Sequence, residues 1–172
     1  MTASAADRAA LVERWYAEGR YGPETLGALV AEGVVEGRLL FSRDDGGREV
    51  TAEAVVEHVR LLAAGLRAHG VGAGDPVAVQ VPSSPEAFAL IGAIWLVGGV
   101  VLPVVDSAGP NELRFILHQS GARAVAAATS WRGRSGVDDV RAAGFDGLVV
   151  AVGTDVPADA TSLADLGRHG QV

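Results

Sequence analysis

The sequence predicts an α/β fold: a mostly parallel sheet with helices on both faces, arranged as a Rossmann-like three-layer sandwich and preceded by N-terminal helices and a small β-hairpin. Two observations predict it. Helical and strand-like segments alternate from residue 51 onward, which is typical of right-handed βαβ crossovers within one sheet. The segments VVLPVV (100–105) and GLVVAV (147–152) are continuous apolar runs, as strands become when helices cover both faces of a sheet.

Short elements are predicted before this alternation. Residues 5–18 and 25–33 carry apolar side chains at helical spacing, and a glycine ends each segment. Residues 37–51 favour two short strands around the turn Asp45-Gly46-Gly47, because Asp-Gly is a strong hairpin signal.

A long helix and a strand open the alternating region. Thr51 is a suitable N-cap for the helix, and the apolar residues that follow it fall at the spacing of one buried helical face. The glycine-rich segment 69–75 ends the helix, and PVAVQV (76–81) favours a strand.

The stretch from Ala87 to Val105 contains no charged residue, and its 19 residues are long enough to span a bilayer. Gly98-Gly99 and Pro103 interrupt it, and both are unfavourable inside a helix. The β-branched residues around Pro103 favour a strand. The stretch is therefore predicted to be a buried helix followed by a buried strand, not a membrane span.

Further elements continue the alternation. Ser83 and Glu86 lie three residues apart and predict a capping box at the start of the apolar helix. Beyond that helix and its strand, helices are predicted at 111–121 and 136–144, and strands at 122–129 and 146–153.

Three segments are predicted along the chain. They are an N-terminal helical segment (1–36), an α/β domain (37–153) and a polar tail or linker (154–172), in which residues 162–167 favour a turn of helix.

Composition excludes several kinds of chemistry. The 172 residues contain no cysteine, so disulfides and thiolate catalysis are excluded. The formal net charge of -7 argues against a nucleic-acid surface. All 14 basic residues are arginines, so these residues contain no Walker-type lysine and no Schiff-base lysine. The first residues lack the pattern of a secretory signal, which indicates a cytoplasmic protein.

The glycine-rich segment GVGAGD (70–75) resembles a dinucleotide-binding turn only in composition. Such a turn must follow a strand and open a helix, so that the helix N-terminus faces the pyrophosphate. In this sequence the order is helix, glycines, strand. The segment is therefore interpreted as a glycine C-cap and a helix-to-strand connection.

Polar residues with catalytic or metal-binding potential are scattered. The four histidines do not have the spacing of metal ligands or of a catalytic triad. The paired carboxylates are interpreted as solvated surface residues. These residues are His58, His69, His118, His169, Asp44-Asp45 and Asp138-Asp139.

The loop Ser130-Trp131-Arg132-Gly133 follows a predicted strand. Ligands of α/β folds bind beyond the carboxyl ends of the strands, so this loop is a candidate ligand loop. The alternative is a connection in which Trp131 packs against a neighbouring domain.

Residues 48–125 resemble the N-terminal part of AMP-forming acid–CoA ligases, in the superfamily that contains luciferases and the adenylation domains of peptide synthetases. The resemblance rests on LAAGLRAHGVGAGD (62–75), PSSPE (82–86), NELRFIL (111–117) and SGARAV (120–125). The segments WYAEGRYGPETL (15–26) and WRGRSG (131–136) are most similar to the cyclohexanecarboxylate–CoA ligase branch.

The resemblance implies an enzyme that uses ATP, Mg²⁺ and coenzyme A. Such an enzyme converts a carboxylic acid to an acyl-adenylate and then to a CoA thioester. The family's phosphate loop and its later nucleotide and magnesium motifs have no counterpart in these residues. No catalytic, cofactor-binding or metal-binding residue is therefore assigned, and this chain is expected to bind no cofactor.

The sequence departs from the family pattern at several positions. Ala52 and Ala54 stand where the family commonly has tyrosine and glutamate, and Ser83 stands where asparagine is usual. After Pro103 the family tends toward asparagine and proline, whereas this chain has Val105-Asp106. These departures indicate lost buried hydrogen bonds or altered packing at those positions.

Two functional readings follow. In the first, the chain is an N-terminal subdomain of such a ligase, inactive alone, whose partner is the remainder of the ligase chain. An apolar face left exposed would then favour self-association, so a homo-oligomer is expected. In the second, the chain is a free-standing, ligase-derived module that binds or regulates a partner protein.

Overall fold

A computed structural model describes residues 5–32, 39–41 and 50–168 of the chain. The helices there are α1 (Ala5–Ala17), α2 (Leu26–Glu32), α3 (Ala52–Ala68), α4 (Pro85–Leu96), α5 (Pro110–Ser120), α6 (Gly136–Ala142) and α7 (Leu163–Arg168). The strands are β1 (Leu39–Phe41), β2 (Val50–Thr51), β3 (Pro76–Gln80), β4 (Val100–Pro103), β5 (Ala124–Ala128), β6 (Leu148–Val152) and β7 (Thr161–Ser162).

Strands β3 to β7 form a five-stranded sheet in the order β4-β3-β5-β6-β7. Every pairing in it is parallel. The chain passes from β3 to β4 on one side and then to β5 on the other side of β3. The carboxyl ends of β3 and its two neighbours therefore lie together at a topological switch point.

Helices cover both faces of this sheet, which confirms the predicted three-layer architecture. One apolar cluster joins α3, α4 and α7 to strand residues such as Val77 and Val79. The other joins α5 and α6 to Ala78 and Val125 on the opposite face. The central strands are buried on both faces, which explains their continuous apolar sequence.

The uncharged stretch that could have spanned a bilayer is a helix and a strand, as predicted. The strand β4 is not buried as expected: it lies at the edge of the sheet, and Val100 is 52% exposed. Helix α4 ends at Leu96, and Gly98 has a left-handed backbone with φ of 81° before β4 begins. None of the helices that the structure describes has both the length and the apolar character needed to cross a membrane.

The predicted cap of α4 is wrong by one residue. Ser84, not Ser83, is the N-cap, and its side chain accepts a hydrogen bond of 3.1 Å from the amide of Ala87. Because Pro85 occupies the first helical position, the cap must be the residue directly before it. Glu86 then lies one position too early to complete a capping box.

The N-terminal elements are helices α1 and α2, as predicted, and α2 packs on α4. At Gly27 the helices approach so closely that an added Cβ would meet the backbone oxygen of Trp95. Strands β1 and β2 pair antiparallel, in agreement with the predicted hairpin. The turn expected at Asp45-Gly46-Gly47 lies outside the described residues.

The C-terminal part differs from the predicted polar tail. Strand β7 pairs with β6, and helix α7 packs against α3 with Leu166 completely buried. Residues 161–168 therefore belong to the folded unit, and only a helical turn near 162–167 was expected there. Apolar residues are too few in this segment to show a buried face by pattern alone.

Candidate functional site: the switch point of the sheet

The candidate site lies at the switch point, where loops leave the carboxyl ends of β3, β4 and β5. Strand β3 ends at Gln80, residues 104–109 connect β4 to α5, and residues 129–135 connect β5 to α6. The candidate ligand loop is part of the last of these. An open α/β sheet of this order usually binds ligands in the crevice between such loops.

Residues 131–134 form a tight two-residue hairpin. Trp131 and Arg134 exchange backbone hydrogen bonds of 2.8 and 3.0 Å. The central residues Arg132 and Gly133 have φ values of 50° and 78°, which is the pattern of a type I′ turn. The Arg132 guanidinium lies over the Trp131 ring, 5.5 Å from its centroid. The turn therefore aims Trp131 and Arg134 back toward the sheet.

Both of these side chains bind the β4–α5 loop. The Trp131 Nε1 donates a 2.7 Å hydrogen bond to Asp106 Oδ2. Arg134 donates to the carbonyl oxygens of Ser107 and Ala108, at 3.2 and 3.5 Å. It also makes a 2.8 Å ion pair with Asp139 of α6.

Gln80 holds the same loop from the end of β3. Its Nε2 donates to the carbonyl oxygens of Val105 and Ala108, at 3.2 and 2.8 Å. The side chain is 4% exposed. Ala108 therefore accepts hydrogen bonds from both walls of the crevice, and three side chains fix the β4–α5 loop across the switch point.

The space left in the crevice is about 20 Å³, lined in part by Gln80, Asp106, Trp131 and Asp139. Pockets for cofactors and drug-sized ligands are on the order of 300–1,000 Å³. The crevice thus has room for one water-sized group and not for a nucleotide. The candidate loop 130–133 serves mainly to close the switch point.

Gln80 and Arg134 were not singled out from the sequence. Gln80 is a polar residue in the otherwise apolar strand PVAVQ, and that contrast was the available signal. Arg134 gave no such signal, because its role depends on a turn that brings it against a loop distant in sequence. Trp131, expected to pack on a neighbouring domain if it bound no ligand, contacts Asp106 of its own domain and is 40% exposed, so the packing on another domain stays a prediction.

Of the other candidate residues, Asp139 lies at the switch point, where it pairs with Arg134 and is mostly shielded from solvent. Gly70 and Gly74 have left-handed backbones in the connection from α3 to β3, and Asp75 accepts a 2.8 Å hydrogen bond from the Gly72 amide. Segment 70–75 is thus a helix-to-strand connection, as interpreted. Asp138 pairs with Arg141 at 2.9 Å, which agrees with a surface role.

The described histidines have different surroundings. His69 is the C-cap residue of α3, and its Nδ1 lies 2.9 Å from the Gly65 oxygen. His58 is half-buried on α3, and burial lowers its pKa while the nearby Glu86 carboxylate raises it in part. Within the described ranges, no group of three or more His, Asp or Glu side chains could hold a metal ion. His169 and Asp44-Asp45 lie outside those ranges.

An apolar groove lies elsewhere, between α2, α3 and α4. Its volume is about 220 Å³, and its lining residues are Leu26, Leu29, Val30, Val55, Val56, Val59, Phe88, Gly92 and Trp95. Leu26, Leu29 and Phe88 are 54%, 52% and 45% exposed. Every lining residue is apolar, so the groove suits burial against another apolar surface.

Solved structures share this architecture. A protein described as a long-chain-fatty-acid CoA ligase from Rhodopseudomonas palustris matches with a TM-score of 0.69 and 28% identity, over 83% of this chain and 36% of that one. A benzoate CoA ligase from Burkholderia xenovorans matches with a TM-score of 0.70 and 19% identity, over 84% of this chain and 28% of that one. The second likeness establishes the fold alone.

Curated relatives match shorter stretches. Naringenin synthase of Pestalotiopsis fici is 32% identical over 103 residues, which are 60% of this chain and 4% of that protein. Protein Y of Streptomyces griseus is 35% identical over 95 residues, 55% of this chain and 31% of that protein. The chain thus spans a third or less of these relatives. The family model for AMP-binding enzymes matches residues 31–166, which is most of the chain, and the chain therefore belongs to the AMP-binding enzyme family.

Proposed function

We propose that the chain is the N-terminal subdomain of an AMP-forming ligase, which activates a carboxylic acid as an acyl-adenylate and transfers the acyl group to coenzyme A. The observation that carries the proposal is the family match over residues 31–166. The 28% identity to a protein described as a long-chain-fatty-acid CoA ligase supports the reaction class. The cyclohexanecarboxylate–CoA ligase branch remains part of the proposal and rests on the segments 15–26 and 131–136.

The residues of this chain do not fit ATP, Mg²⁺ or coenzyme A at the switch point. The crevice holds about 20 Å³, and a nucleotide needs a pocket more than tenfold larger. We derive no chemical step from these residues, and we propose that the isolated chain does not catalyse adenylation.

Acid activation requires groups that this part of the chain does not bring together. Charge develops on the phosphates and on the carboxylate oxygen, and cations or hydrogen-bond donors must stabilise it in the transition state. Arg134 is the cation nearest the crevice, but its guanidinium is engaged with Asp139 and two backbone oxygens. The subdomain therefore contributes a scaffold, and the remainder of the ligase supplies the catalytic groups.

The proposal is tested on the source gene and on the protein. The reading frame beyond codon 172 is sequenced, and the complete chain and the 172-residue chain are compared for ATP–pyrophosphate exchange with a panel of carboxylic acids. We expect exchange from the complete chain and none from the 172-residue chain. A stop codon directly after codon 172, or exchange by the short chain, would overturn the proposal.

The proposed partner is the remainder of the ligase chain, seated on apolar surface such as the α2–α3–α4 groove. The lengths of the solved ligases support this, because this chain covers 36% or less of each of the two described above. The alternative function, a free-standing module that binds a partner protein, would use the same groove. A stop codon after codon 172 favours that alternative.

A further inference from the structure

The side-chain oxygen of Gln80 is a buried acceptor that none of the described protein groups satisfies. The residue is 4% exposed, so bulk water does not replace the missing partner. A buried polar atom without a hydrogen bond is destabilising, because it has lost its hydration and gained no partner. The end of β3 therefore presents an acceptor that requires a donor.

The orientation of the Gln80 amide is set by its neighbours. Nε2 lies 3.2 Å from the Val105 oxygen and 2.8 Å from the Ala108 oxygen. A rotation of the amide by 180° would place Oε1 against these two carbonyl oxygens, and two acceptors do not attract each other. Oε1 must therefore stay on the side of the amide that faces away from the β4–α5 loop.

The cavity at the switch point has the size and the polar groups for one small donor. Its volume is about 20 Å³, and a cavity needs about 10–15 Å³ to hold a water molecule. Asp106, Arg134 and Asp139 line it together with Gln80. Asp139 belongs to α6 and not to the β4–α5 loop, so a water molecule there could donate one proton to Gln80 and the other to the Asp139 carboxylate.

We propose that the switch point contains a binding site for a single ordered water molecule, held by Gln80 Oε1 and by the Asp139 carboxylate. The water completes the hydrogen bonding of the Gln80 amide. The same amide fixes residues 105 and 108, so the water stabilises the closed arrangement of the crevice. The switch point is then a structural water site instead of a ligand pocket.

The test is a crystal structure of the 172-residue chain at a resolution that shows ordered water, with and without ammonium in the crystallisation solution. We expect a density peak about 2.7–3.2 Å from Gln80 Oε1, with a second protein partner, under both conditions. The absence of a peak would overturn the proposal. A peak that requires ammonium, or a protein donor found on Oε1, would overturn it as well.

A second measurement uses water–protein cross-relaxation in NMR. The wild type should show a long-lived water signal at the Gln80 side-chain amide. In a crystal structure of Gln80→Met, the electron-density peak of the water should be absent from the corresponding position. Gln119→Met is the matched control, because it makes the same change at an exposed position that does not line the crevice. Loss of the water in this control, with the fold intact, would contradict the assignment to Gln80.

Discussion

Gly65 of helix α3 lies directly against the backbone carbonyl of Leu166 in helix α7. A Cβ on Gly65 would meet the oxygen and carbon of that carbonyl, and the Leu166 side chain is completely buried beside it. The absence of a side chain at Gly65 is therefore what lets α7 pack on the α/β unit. This contact fixes the last described helix to the core, about a hundred residues from Gly65 in sequence.

We expect Gly65→Ala to destabilise the domain. Alanine is favoured over glycine inside a helix by about 1 kcal/mol, but the added methyl group would collide with backbone, which cannot turn aside as a flexible side chain can. Overpacking typically costs about 1–3 kcal/mol. Because the collision is with backbone, we expect a cost at the upper end of this range, and so a net loss of about 2 kcal/mol in urea unfolding, with faster amide exchange in α7.

Gly72→Ala is the control for this substitution. Gly72 does not have a positive φ, and no atom lies within 4 Å of its ideal Cβ position. The stability of the Gly72→Ala variant should be unchanged or slightly increased, since alanine restricts the unfolded chain. Equal stability of the two variants would show that α7 is not held at Gly65.

The contact also illustrates which parts of the fold could be predicted. The long helix from Thr51 and the break at Gly98 were predicted, because capping and glycine geometry act over a few residues. The packing of Leu166 on Gly65 was not, because a close approach between distant helices leaves no local pattern. The same reason applies to Arg134 and Ala108 at the switch point. A hydrogen bond between two loops depends on the strand order, which the sequence does not state.

His58 should make stability depend on pH. Burial lowers its pKa from the ordinary value of 6.5, and the Glu86 carboxylate partly opposes this shift. Between the folded and the unfolded pKa, the unfolded chain binds more protons, so stability rises with pH. The contribution of His58 to the free energy of unfolding is complete above about pH 6.5. It is lost as the pH falls through the pKa that His58 has in the folded chain.

The measurement is the urea midpoint between about pH 5.5 and 7.5, above the range in which most carboxylates titrate. His58→Gln should remove the His58 part of the slope. Glu86→Gln should enlarge the wild-type slope, because the carboxylate no longer favours the protonated imidazole. A slope that is unchanged in His58→Gln would assign the pH dependence to other groups.

The apolar groove should cause self-association of the 172-residue chain. Leu29 lines the groove and is half exposed. We expect light scattering to show a concentration-dependent dimer or larger oligomer for the 172-residue chain, and a shift to monomer in Leu29→Glu. Phe115→Glu is the control, since Phe115 is 66% exposed on α5, across the sheet from the groove. A monomeric wild type at high concentration would contradict the expectation.

Arg114 joins two helices on the α5–α6 side of the sheet. Its Nε and Nη2 donate to the Ala143 and Ala142 oxygens, at 3.2 and 2.9 Å. These are the last carbonyls of α6, which the helix itself cannot satisfy. Hydrogen bonds from charged groups contribute about 1.5–3 kcal/mol when shielded, and partial exposure reduces that value here. We therefore expect Arg114→Ala to cost about 1 kcal/mol in urea unfolding.

The control for Arg114 is Gln119→Ala on the same helix, at an exposed position. Both changes replace a long polar side chain by alanine, so they alter helix propensity by similar amounts. Arg114→Lys separates charge from geometry. A single ammonium group keeps the charge near the helix end but does not reproduce the two-pronged contact with both carbonyls, so we expect it to recover only part of the loss. Full recovery by lysine would assign the effect to the helix dipole, and equal stability of Arg114→Ala and Gln119→Ala would exclude a capping role.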